Sequence, residues 1–248
     1  MPTVPPRPVA LVTGAARRIG AAIARRLHAD GHDLALHYRD SRAEMEALAA
    51  ELEAARPGSV LTLQAELADS DRLPALVAQA HARFGRLDLL VNNASAFFPT
   101  PLGQITAAQW DALFASNARA PLFLAQAAAP HLRAARGAIV NLVDIYAERP
   151  PRAHAVYAMA KSALRTLTRA LALDLAPEVR VNAVAPGAIL WPEQGKSEAE
   201  RAALLAQVPL GRTGQPEEIA AAVAWLAGPQ AGYVTGQVLR VDGGRAIG

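Results

Sequence analysis

Short runs of β-forming residues alternate along this chain with longer segments that have helical spacing. Seven such runs can be distinguished, at 9–15, 33–38, 59–67, 87–95, 138–145, 179–187 and 237–244. Most of the segments between them are rich in Ala, Leu, Arg and Glu, as at 41–55. Continuous apolar strands that alternate with helices are typical of a parallel sheet covered on both faces. The sequence therefore predicts an α/β fold with one doubly wound, seven-stranded parallel sheet.

The chain length and the spacing of these runs indicate one domain. The 248 residues show no internal repeat and no interdomain linker, so we predict a flexible arm at 1–7 and a single domain at 8–248. The stretch 188–212 breaks the alternation and contains a predicted short helix at 198–207. Because an insertion after a strand often covers a binding site, we expect 188–212 to be a substrate lid.

Composition excludes several classes of function. The chain has no cysteine, which excludes disulfides, thiolate catalysis and cysteine-bound zinc. The six histidines show no metal-ligand spacing, so we predict no metal and expect these side chains at the surface. No apolar run reaches the roughly 18 residues of a membrane span, and prolines occupy the start where a signal peptide would be apolar. We therefore expect a cytoplasmic protein without a membrane partner.

The net charge of +3 is compatible with an anionic cofactor. Nucleic-acid binding would need the basic residues to be clustered. Here arginines are scattered among alanine and glutamate on predicted helices. We therefore predict no nucleic-acid partner.

The segment "LVTGAARRIG" (11–20) links the first strand to the first helix. Gly14 permits a tight turn, and Gly20 permits close packing of the helix on the strand. The helix N-terminus would present free N–H groups to a pyrophosphate. A simple strand–helix turn is the alternative, since Arg18 stands where a middle glycine is usual. The position in the first strand–helix unit favours dinucleotide binding.

The second strand ends in "LHYRDS" (36–41), which bears on the choice of cofactor. A site for NAD has a carboxylate near this point to bind the ribose 2′-hydroxyl. Here His37, Tyr38 and Arg39 occupy the strand end, and Asp40 comes slightly late. Arg17 and Arg39 together could bind a 2′-phosphate, which a carboxylate would repel. We therefore predict NADPH, with ordinary surface charges as the alternative for the two arginines.

Two further strand ends supply candidate cofactor contacts. Glu66 and Leu67 follow the third strand and could reach an adenine. The sequence "NNA" (92–94) ends the fourth strand, where small and amide residues let the chain approach a flat ligand. A purely structural turn is the alternative for Asn92.

The fifth strand and the following helix carry the residues suited to proton transfer. Asp144 lies thirteen positions before Tyr157, and Lys161 follows Tyr157 by four, on the same helix face. A free tyrosine has a pKa of about 10. We expect the Lys161 ammonium, together with a charged nicotinamide, to lower the pKa of Tyr157 and to bind the nicotinamide ribose. Tyr157 would then act as a proton donor, whereas a structural Tyr/Lys pair is the alternative.

The chain resembles the short-chain dehydrogenase/reductase family over about 8–245. The matching motifs are "TGAARRIG", "NNAS", "SNARAP" with Asn117, "YAMAK", "VNAVAPG" and "VTGQVLRVDGG". This resemblance implies a Rossmann-type fold, NAD(P)-dependent hydride transfer and a homotetramer. It also implies that Tyr157 is the acid/base, that Lys161 assists it, and that Asn117 holds a water in a proton relay. The predicted cofactor-binding residues are Gly14, Arg17, Ile19, Gly20, Tyr38, Arg39, Ser41, Glu66, Leu67, Asn93, Ala94, Ser95, Tyr157, Lys161, Pro186 and Gly187.

Three departures from the family pattern bear on the substrate. Most members have serine at the position of Asp144, and a carboxylate is a poor partner for a carbonyl oxygen because both are acceptors. A carboxylate suits a substrate rich in N–H donors. Arg18 replaces a glycine, and "NNAS" is followed by "AFFPTPL". Together these features resemble the pteridine reductases, whose pattern is T-G-x-x-x-R-x-G, N-N-A-S-x-F/Y, and Asp for Ser.

That resemblance assigns roles to the substrate side of the site. Phe97 would stack on the pterin, Ser95 would bond near its amino-pyrimidine edge, and Arg17 would contact cofactor phosphate and pterin. Asp144 would work with Tyr157 to protonate a ring nitrogen. We expect either Phe97 or Phe98 to be ordinary core packing, and Trp191 either to cap the site or to pack. The predicted substrate-binding residues are Arg17, Ser95, Phe97, Asp144, Tyr157, Leu190 and Trp191.

The sequence thus predicts an NADPH-dependent pteridine reductase. Its substrates would be dihydropterins or dihydrofolate, with oxidised pterins as further candidates. One alternative is a carbonyl reductase of the same family, such as a 3-oxoacyl carrier-protein reductase. A non-catalytic dinucleotide-binding regulator is the other. The helices predicted around 106–135 and 154–176 could supply faces for a tetramer.

Overall fold

All seven predicted strands are present in one parallel sheet. The computed structural model describes residues 7–190 and 197–247. Within these residues the strands are β1 (Val9–Val12), β2 (Asp33–Tyr38), β3 (Val60–Gln64), β4 (Leu89–Asn92), β5 (Ala138–Leu142), β6 (Arg180–Pro186) and β7 (Val238–Val241). Their order across the sheet is β3-β2-β1-β4-β5-β6-β7, and every neighbouring pair is parallel. The predicted fold class is confirmed.

Helices cover both faces of the sheet. In the part of the chain that the structure describes they are α1 (Arg18–Ala29), α2 (Arg42–Ala55), α3 (Leu73–Phe84), α4 (Ala107–Phe114), α5 (Ala120–Ala135), α6 (Ala155–Asp174), α7 (Glu198–Leu205) and α8 (Pro216–Ala227). Helices α1, α2 and α8 share one buried apolar cluster, and α3, α5 and α6 share another. Along β1, Ala10 and Val12 face the first cluster while Val9 and Leu11 face the second. This alternation follows from the strand pleat. Because both faces are buried, every residue of the strand is apolar.

The strand order positions the functional site. The chain builds β1, β2 and β3 outward in one direction and then returns to place β4 on the other side of β1. The helices that follow β1 and β4 therefore lie on opposite faces of the sheet. This leaves a crevice at the carboxyl ends of these two strands. In open α/β sheets this is where ligands bind.

Most strands end earlier, at their carboxyl ends, than the sequence predicts. The run 9–15 ends as a strand at Val12, and the run 87–95 ends at Asn92. Beyond Val12 the chain enters the glycine turn, where the Ala15 N–H still donates to the His37 carbonyl of β2.

The region predicted as one helix at 106–135 is interrupted. A π-helical turn, Ala115–Arg119, separates α4 from α5 and holds Asn117 fully buried. Pro121, at the start of α5, has no backbone N–H. The carbonyl of Asn117, four residues earlier, therefore lacks its ordinary α-helical donor. π-Turns of this kind often lie at functional sites.

The lid and arm regions are partly described. The helix predicted at 198–207 is α7, which begins with a capping box between Ser197 and Glu200. Residues 191–196 of the predicted lid and 1–6 of the predicted arm lie outside the described residues. Arg7, the last residue of that arm, lies 4.0 Å from Asp33 across an ion pair. Among the described residues, no helix is both long enough and apolar enough to span a membrane.

Candidate functional site: a strand-edge cleft with a Tyr–Asp pair

The glycine turn after β1 is tightly packed against the end of β4. A side chain at Gly20 would collide with the Gly14 carbonyl and lie 2.7 Å from the Asn93 side-chain nitrogen. That nitrogen donates to the carbonyls of Thr13 and Gly14, both at 2.9 Å. The Thr13 hydroxyl accepts from the N–H groups of Asn93 and Ala94, both at 3.0 Å. The start of α1 can therefore approach the strand edge closely, as the sequence predicts.

His37 is a positioning residue that the sequence prediction missed. It is buried at the end of β2, where its Nδ1 accepts from the Gly14 N–H at 3.2 Å. Its Nε2 lies 3.1 Å from the Ala65 carbonyl and is therefore the protonated nitrogen. Burial lowers the pKa of His37, which favours this neutral form. A polar ring in an otherwise apolar strand was the available signal.

The expected surface location of the histidines is wrong for His37 and also for His28. The His28 ring is buried and lies 2.8 Å from the Ser59 hydroxyl. Both rings are buried because each has a hydrogen-bond partner there, which offsets the loss of water. The described residues contain no cluster of three or more potential metal ligands.

A cavity of about 750 Å³, here called the strand-edge cavity, runs from the glycine turn across the ends of β2 and β3. It includes twelve of the predicted cofactor residues. They are Gly14, Arg17, Ile19, Gly20, Tyr38, Arg39, Ser41, Glu66, Leu67, Asn93, Ala94 and Ser95. The structure thus brings these scattered residues together along one cleft.

Asn92 stands apart from this set. Its side chain is buried and donates to the Asn141 side-chain oxygen at 2.8 Å. The structure therefore favours a structural role for Asn92 over contact with a cofactor.

The two arginines predicted to bind a 2′-phosphate each have an acidic partner. Arg39 lies 2.5 Å from Asp40 and 3.8 Å from Glu66. Arg17 lies 3.5 Å from Glu44 in α2. All these side chains are well exposed, so the pairs are weak and a phosphate can compete for the guanidinium groups.

Arg18 has a role that the sequence prediction did not assign. It adopts a φ of 52°, a conformation that usually favours glycine, and its side chain donates to the Ile189 carbonyl at 3.4 Å. It therefore reaches across the cleft, whereas Arg17 reaches toward α2. Both arginines line both cavities of the cleft. The arginine of the T-G-x-x-x-R-x-G pattern is Arg18, so Arg18 joins Arg17 as a candidate for the predicted phosphate and pterin contacts.

A second cavity of about 990 Å³, here called the tyrosine cavity, adjoins the first and shares Arg17, Asn93, Ser95 and Phe97 with it. It contains the remaining predicted cofactor residues, Tyr157, Lys161, Pro186 and Gly187. Asp144, Leu190 and Arg245 also line it. Trp191, predicted to cap this site or to pack, lies outside the described residues.

Asp144 and Tyr157 form a direct hydrogen bond in the tyrosine cavity. The phenol oxygen of Tyr157 donates to one carboxylate oxygen of Asp144 at 2.8 Å, and the other accepts from the Tyr146 N–H at 2.9 Å. Burial raises the pKa of Asp144, and the hydrogen bonds oppose that shift. The arrangement places a carboxyl group in direct contact with a phenol at the carboxyl edge of the sheet.

The expected lowering of the Tyr157 pKa is wrong for the protein alone. Burial raises the pKa of Tyr157 well above its ordinary value, and the charge and hydrogen bond of Asp144 raise it further. The Lys161 ammonium donates to the Leu142 carbonyl at 2.8 Å and lies 5.8 Å from the tyrosine ring centre. Burial lowers the pKa of Lys161 itself to about 8. Tyr157 is therefore a neutral phenol at physiological pH.

Ser95 connects Tyr157 to Asn117. Its hydroxyl donates to the Asn117 side-chain oxygen at 2.7 Å, and its hydrogen bond with Tyr157 counteracts part of the rise in that pKa. The Asn117 amide donates to the carbonyls of Ala96 and Leu113, both at 2.9 Å. Asp144, Tyr157 and Asn117 thus belong to one hydrogen-bonded group through Ser95, whereas Lys161 bonds to the Leu142 carbonyl.

The two neighbouring phenylalanines differ as expected. Phe97 is 55% exposed and borders both cavities. Its ring lies 4.8 Å from the Tyr157 ring, edge to face, and is stacked on His154 at 4.7 Å. Phe98 instead packs against the buried group of Leu113, Val156 and Tyr157. Phe97 is therefore the aromatic residue open to a ligand.

These features define an α/β protein of the dinucleotide-binding type with a hydrogen-bonded Tyr–Asp pair beside the strand-edge cavity. Residues 14–246 match the family model described as Enoyl-(Acyl carrier protein) reductase. Pteridine reductase 1 of Leishmania tarentolae is 39% identical, with 100% of this chain and 99% of that protein covered. The 3-oxoacyl-[acyl-carrier-protein] reductase FabG of Staphylococcus aureus strain Mu50 is 37% identical over 95% of this chain and 96% of that protein. A 3beta-hydroxysteroid dehydrogenase of Eggerthella lenta is 36% identical, with 96% and 93% covered.

The chain therefore belongs to the short-chain dehydrogenase/reductase family. It is an NAD(P)-dependent oxidoreductase. Relatives that differ in the substrates given in their names are similarly identical to it, so the substrate has to be inferred from the site.

Proposed function

We propose that the protein is an NADPH-dependent pteridine reductase that reduces dihydropterins and dihydrofolate at a C=N bond. Oxidised pterins are further candidate substrates. The hydrogen bond of 2.8 Å between Tyr157 and Asp144 is the observation that carries this proposal. The name and 39% identity of the Leishmania relative support it.

A carboxylate beside the proton donor suits a nitrogen heterocycle better than a ketone. Asp144 presents acceptor oxygens, which attract the N–H groups of an amino-pyrimidine and repel a carbonyl oxygen. Because burial raises its pKa, Asp144 can also hold a proton. Tyr157, which donates to it, stays a neutral acid. The pair can therefore deliver one proton to a ring nitrogen, and solvent supplies the proton that replaces it.

The residues of the cleft fit a dinucleotide. The closely packed glycine turn leads into the N-terminus of α1, whose free N–H groups suit a pyrophosphate. Arg17, Arg18 and Arg39 supply positive charge along the same cleft. When bound, the cofactor supplies hydride to the substrate. Arg17 and Arg39 are the residues that would bind a 2′-phosphate, and Lys161 would bind the nicotinamide ribose.

Asn117 would hold the water from which Tyr157 regains its proton, and Ser95 positions the phenol. Ser95 bonds to both Tyr157 and Asn117. The carbonyl of Asn117 lacks an ordinary α-helical donor because Pro121 follows four residues later. A water bonded to that carbonyl would connect the buried group to solvent. This role for Asn117 accords with the proton relay that the family resemblance implies.

Phe97 supplies the apolar surface for a flat substrate. It is exposed at the junction of the two cavities, beside Tyr157. Stacking of a heteroaromatic ring on such a side chain contributes about 0.5–1.5 kcal/mol beyond the area that it buries. Phe97 would thereby orient the ring with its reacting edge toward Tyr157 and Asp144.

A substrate panel tests the proposal. NADPH oxidation is measured with dihydrobiopterin, dihydrofolate and acetoacetyl thioester under identical conditions. We expect turnover of at least one pterin at a kcat/KM well above that for the thioester. Activity on the thioester alone would establish the carbonyl-reductase alternative, and inactivity on all three would favour the regulator.

The cofactor preference is measured separately. We expect a lower Kd for NADPH than for NADH, and Arg39→Gln should reduce the difference. Tighter binding of NADH by the unaltered protein would overturn the NADPH part of the proposal, because Arg39 would then serve only its acidic partners.

A further inference from the structure

Arg245 brings a positive charge to the tyrosine cavity that the chemistry proposed above does not use. Its half-buried side chain lines this cavity together with Asp144, Tyr146 and Tyr157. Its charge is one of the weaker influences that oppose the burial-driven rise of the Asp144 pKa. The guanidinium therefore lies within electrostatic reach of the reacting pair.

The hydrogen-bond partners of the Arg245 guanidinium are neutral. It donates to the Tyr146 hydroxyl at 3.4 Å and to the Gln207 side-chain oxygen at 3.5 Å, both long distances. It also lies 5.6 Å from the centre of the Tyr146 ring. Within residues 7–190 and 197–247, no carboxylate oxygen lies within 4.0 Å of it, in contrast to Arg17 and Arg25, which line the same cavity.

The backbone around Arg245 is held in place. The Asp242 carboxylate accepts from the Gly244 N–H at 3.0 Å and from the Ala246 N–H at 2.8 Å. The Arg149 side chain donates to the Arg245 carbonyl at 2.8 Å. The turn after β7 therefore fixes the backbone from which the Arg245 side chain reaches the cavity.

We propose that Arg245 binds a carboxylate of the substrate, and that the preferred substrate is therefore a folate-type pterin rather than a pterin with an uncharged side chain. This inference rests on the proposed function. A guanidinium binds a carboxylate through two parallel hydrogen bonds, which the Tyr146 and Gln207 oxygens do not provide. It would also offset the repulsion between an anionic substrate and Asp144.

The test compares two substrates in Arg245→Gln. Dihydrofolate carries a glutamate with two carboxylates, whereas the side chain of dihydrobiopterin is uncharged. Loss of a charge-assisted hydrogen bond predicts that the ratio of kcat/KM for dihydrofolate over dihydrobiopterin falls about tenfold or more, mainly through the KM for dihydrofolate. Arg245→Lys, which keeps the charge, should retain part of the preference. Arg240→Gln is the matched control, because Arg240 pairs with Glu148 and does not line the cavity.

The outcomes separate this inference from the proposed function. If the unaltered protein reduces both substrates and Arg245→Gln leaves their ratio unchanged, Arg245 does not bind a carboxylate. Equal losses of kcat with both substrates, together with a shifted pH profile, would show that Arg245 acts only through Asp144, which also overturns the inference. Absence of turnover with either substrate in the unaltered protein would refute the proposed function itself.

Discussion

Burial determines the protonation states of the residues around Tyr157. Tyr157 and Lys161 are 4% and 2% exposed, so water stabilises neither a phenolate nor an ammonium well. Burial therefore raises the pKa of the phenol and lowers that of the ammonium to about 8. The sequence shows only that the two groups are near each other, and that proximity does not by itself determine the pKa of Tyr157 or of Lys161.

Replacement of the phenol oxygen of Tyr157 should remove the proton donor while leaving the ring in place. We expect Tyr157→Phe to reduce kcat with a pterin by about 10²–10⁴-fold, the usual contribution of general acid catalysis. The Kd for NADPH should change little, since most of the predicted cofactor contacts lie in the strand-edge cavity. Tyr233→Phe, at a fully exposed side chain, is the control. Near-normal turnover by Tyr157→Phe would refute the acid role.

The lowered pKa of Lys161 predicts a pH dependence of folding stability. The pKa is about 8 in the folded protein and 10.5 for an ordinary lysine, so between these values the unfolded chain binds more protons. The Lys161 contribution to the free energy of unfolding should therefore rise with pH in this window, by about 2 kcal/mol between pH 8 and pH 10. Urea denaturation of the unaltered protein and of Lys161→Met at both pH values measures it. A difference between the two proteins that does not change with pH would contradict the burial of a titrating ammonium.

At the scale of elements, hydrogen bonds between distant segments hold the strand and helix ends that the site needs. His37 links β2 to the glycine turn and to the residue after β3. Arg180, at the start of β6, donates to the carbonyls of Leu226, Ala227, Gly228 and Ala231 at 2.7–3.2 Å. These carbonyls lie at and just beyond the C-terminus of α8, where a positive charge also favours the helix dipole.

Arg180→Gln should destabilise the fold through the end of α8. Four carbonyls would lose a charged donor, and we expect a loss of about 2–3 kcal/mol in the free energy of unfolding. Thermal unfolding should show this as a decrease in Tm of several degrees. Arg169→Gln, on an exposed position of α6, is the matched control. An equal Tm for both variants would mean that water replaces the lost donor.

For the whole molecule, the exposed apolar side chains bear on assembly. Trp110 and Phe114 stack in α4 with ring centres 4.2 Å apart, and Phe123 in α5 and Met159 in α6 are 36% and 49% exposed. Large contiguous apolar patches often mark protein–protein contacts, and these side chains would contribute to one if an interface covers α4, α5 and α6. The family resemblance implies a homotetramer, and we propose that these helices supply its interfaces.

Sedimentation equilibrium tests the assembly. We expect a mass about four times the 26.0 kDa of the chain at micromolar concentration. Phe123→Glu should reduce the mass, since it would bury an unpaired charge at an interface. Leu102→Glu, at a loop residue that is 93% exposed, should leave the mass unchanged. A monomeric unaltered protein would refute the proposed tetramer.

The sequence by itself determined the seven-stranded parallel sheet, the glycine turn, and the association of Tyr157 and Lys161 with Asp144. These features follow from local periodicity and from spacings within one strand–helix unit, which a linear sequence records. The motif resemblance also selected Phe97 rather than Phe98 as the aromatic residue for the ligand.

Only the tertiary structure decided that Arg18 crosses the cleft, that His37 holds the glycine turn, and that Arg245 enters the tyrosine cavity. Each depends on contacts between residues far apart in the chain, such as the 171 positions between Arg18 and Ile189. The direction of the Tyr157 pKa shift likewise depends on how completely the fold excludes water. Burial and long-range proximity arise only when the elements pack together, so the sequence pattern of one element does not contain them.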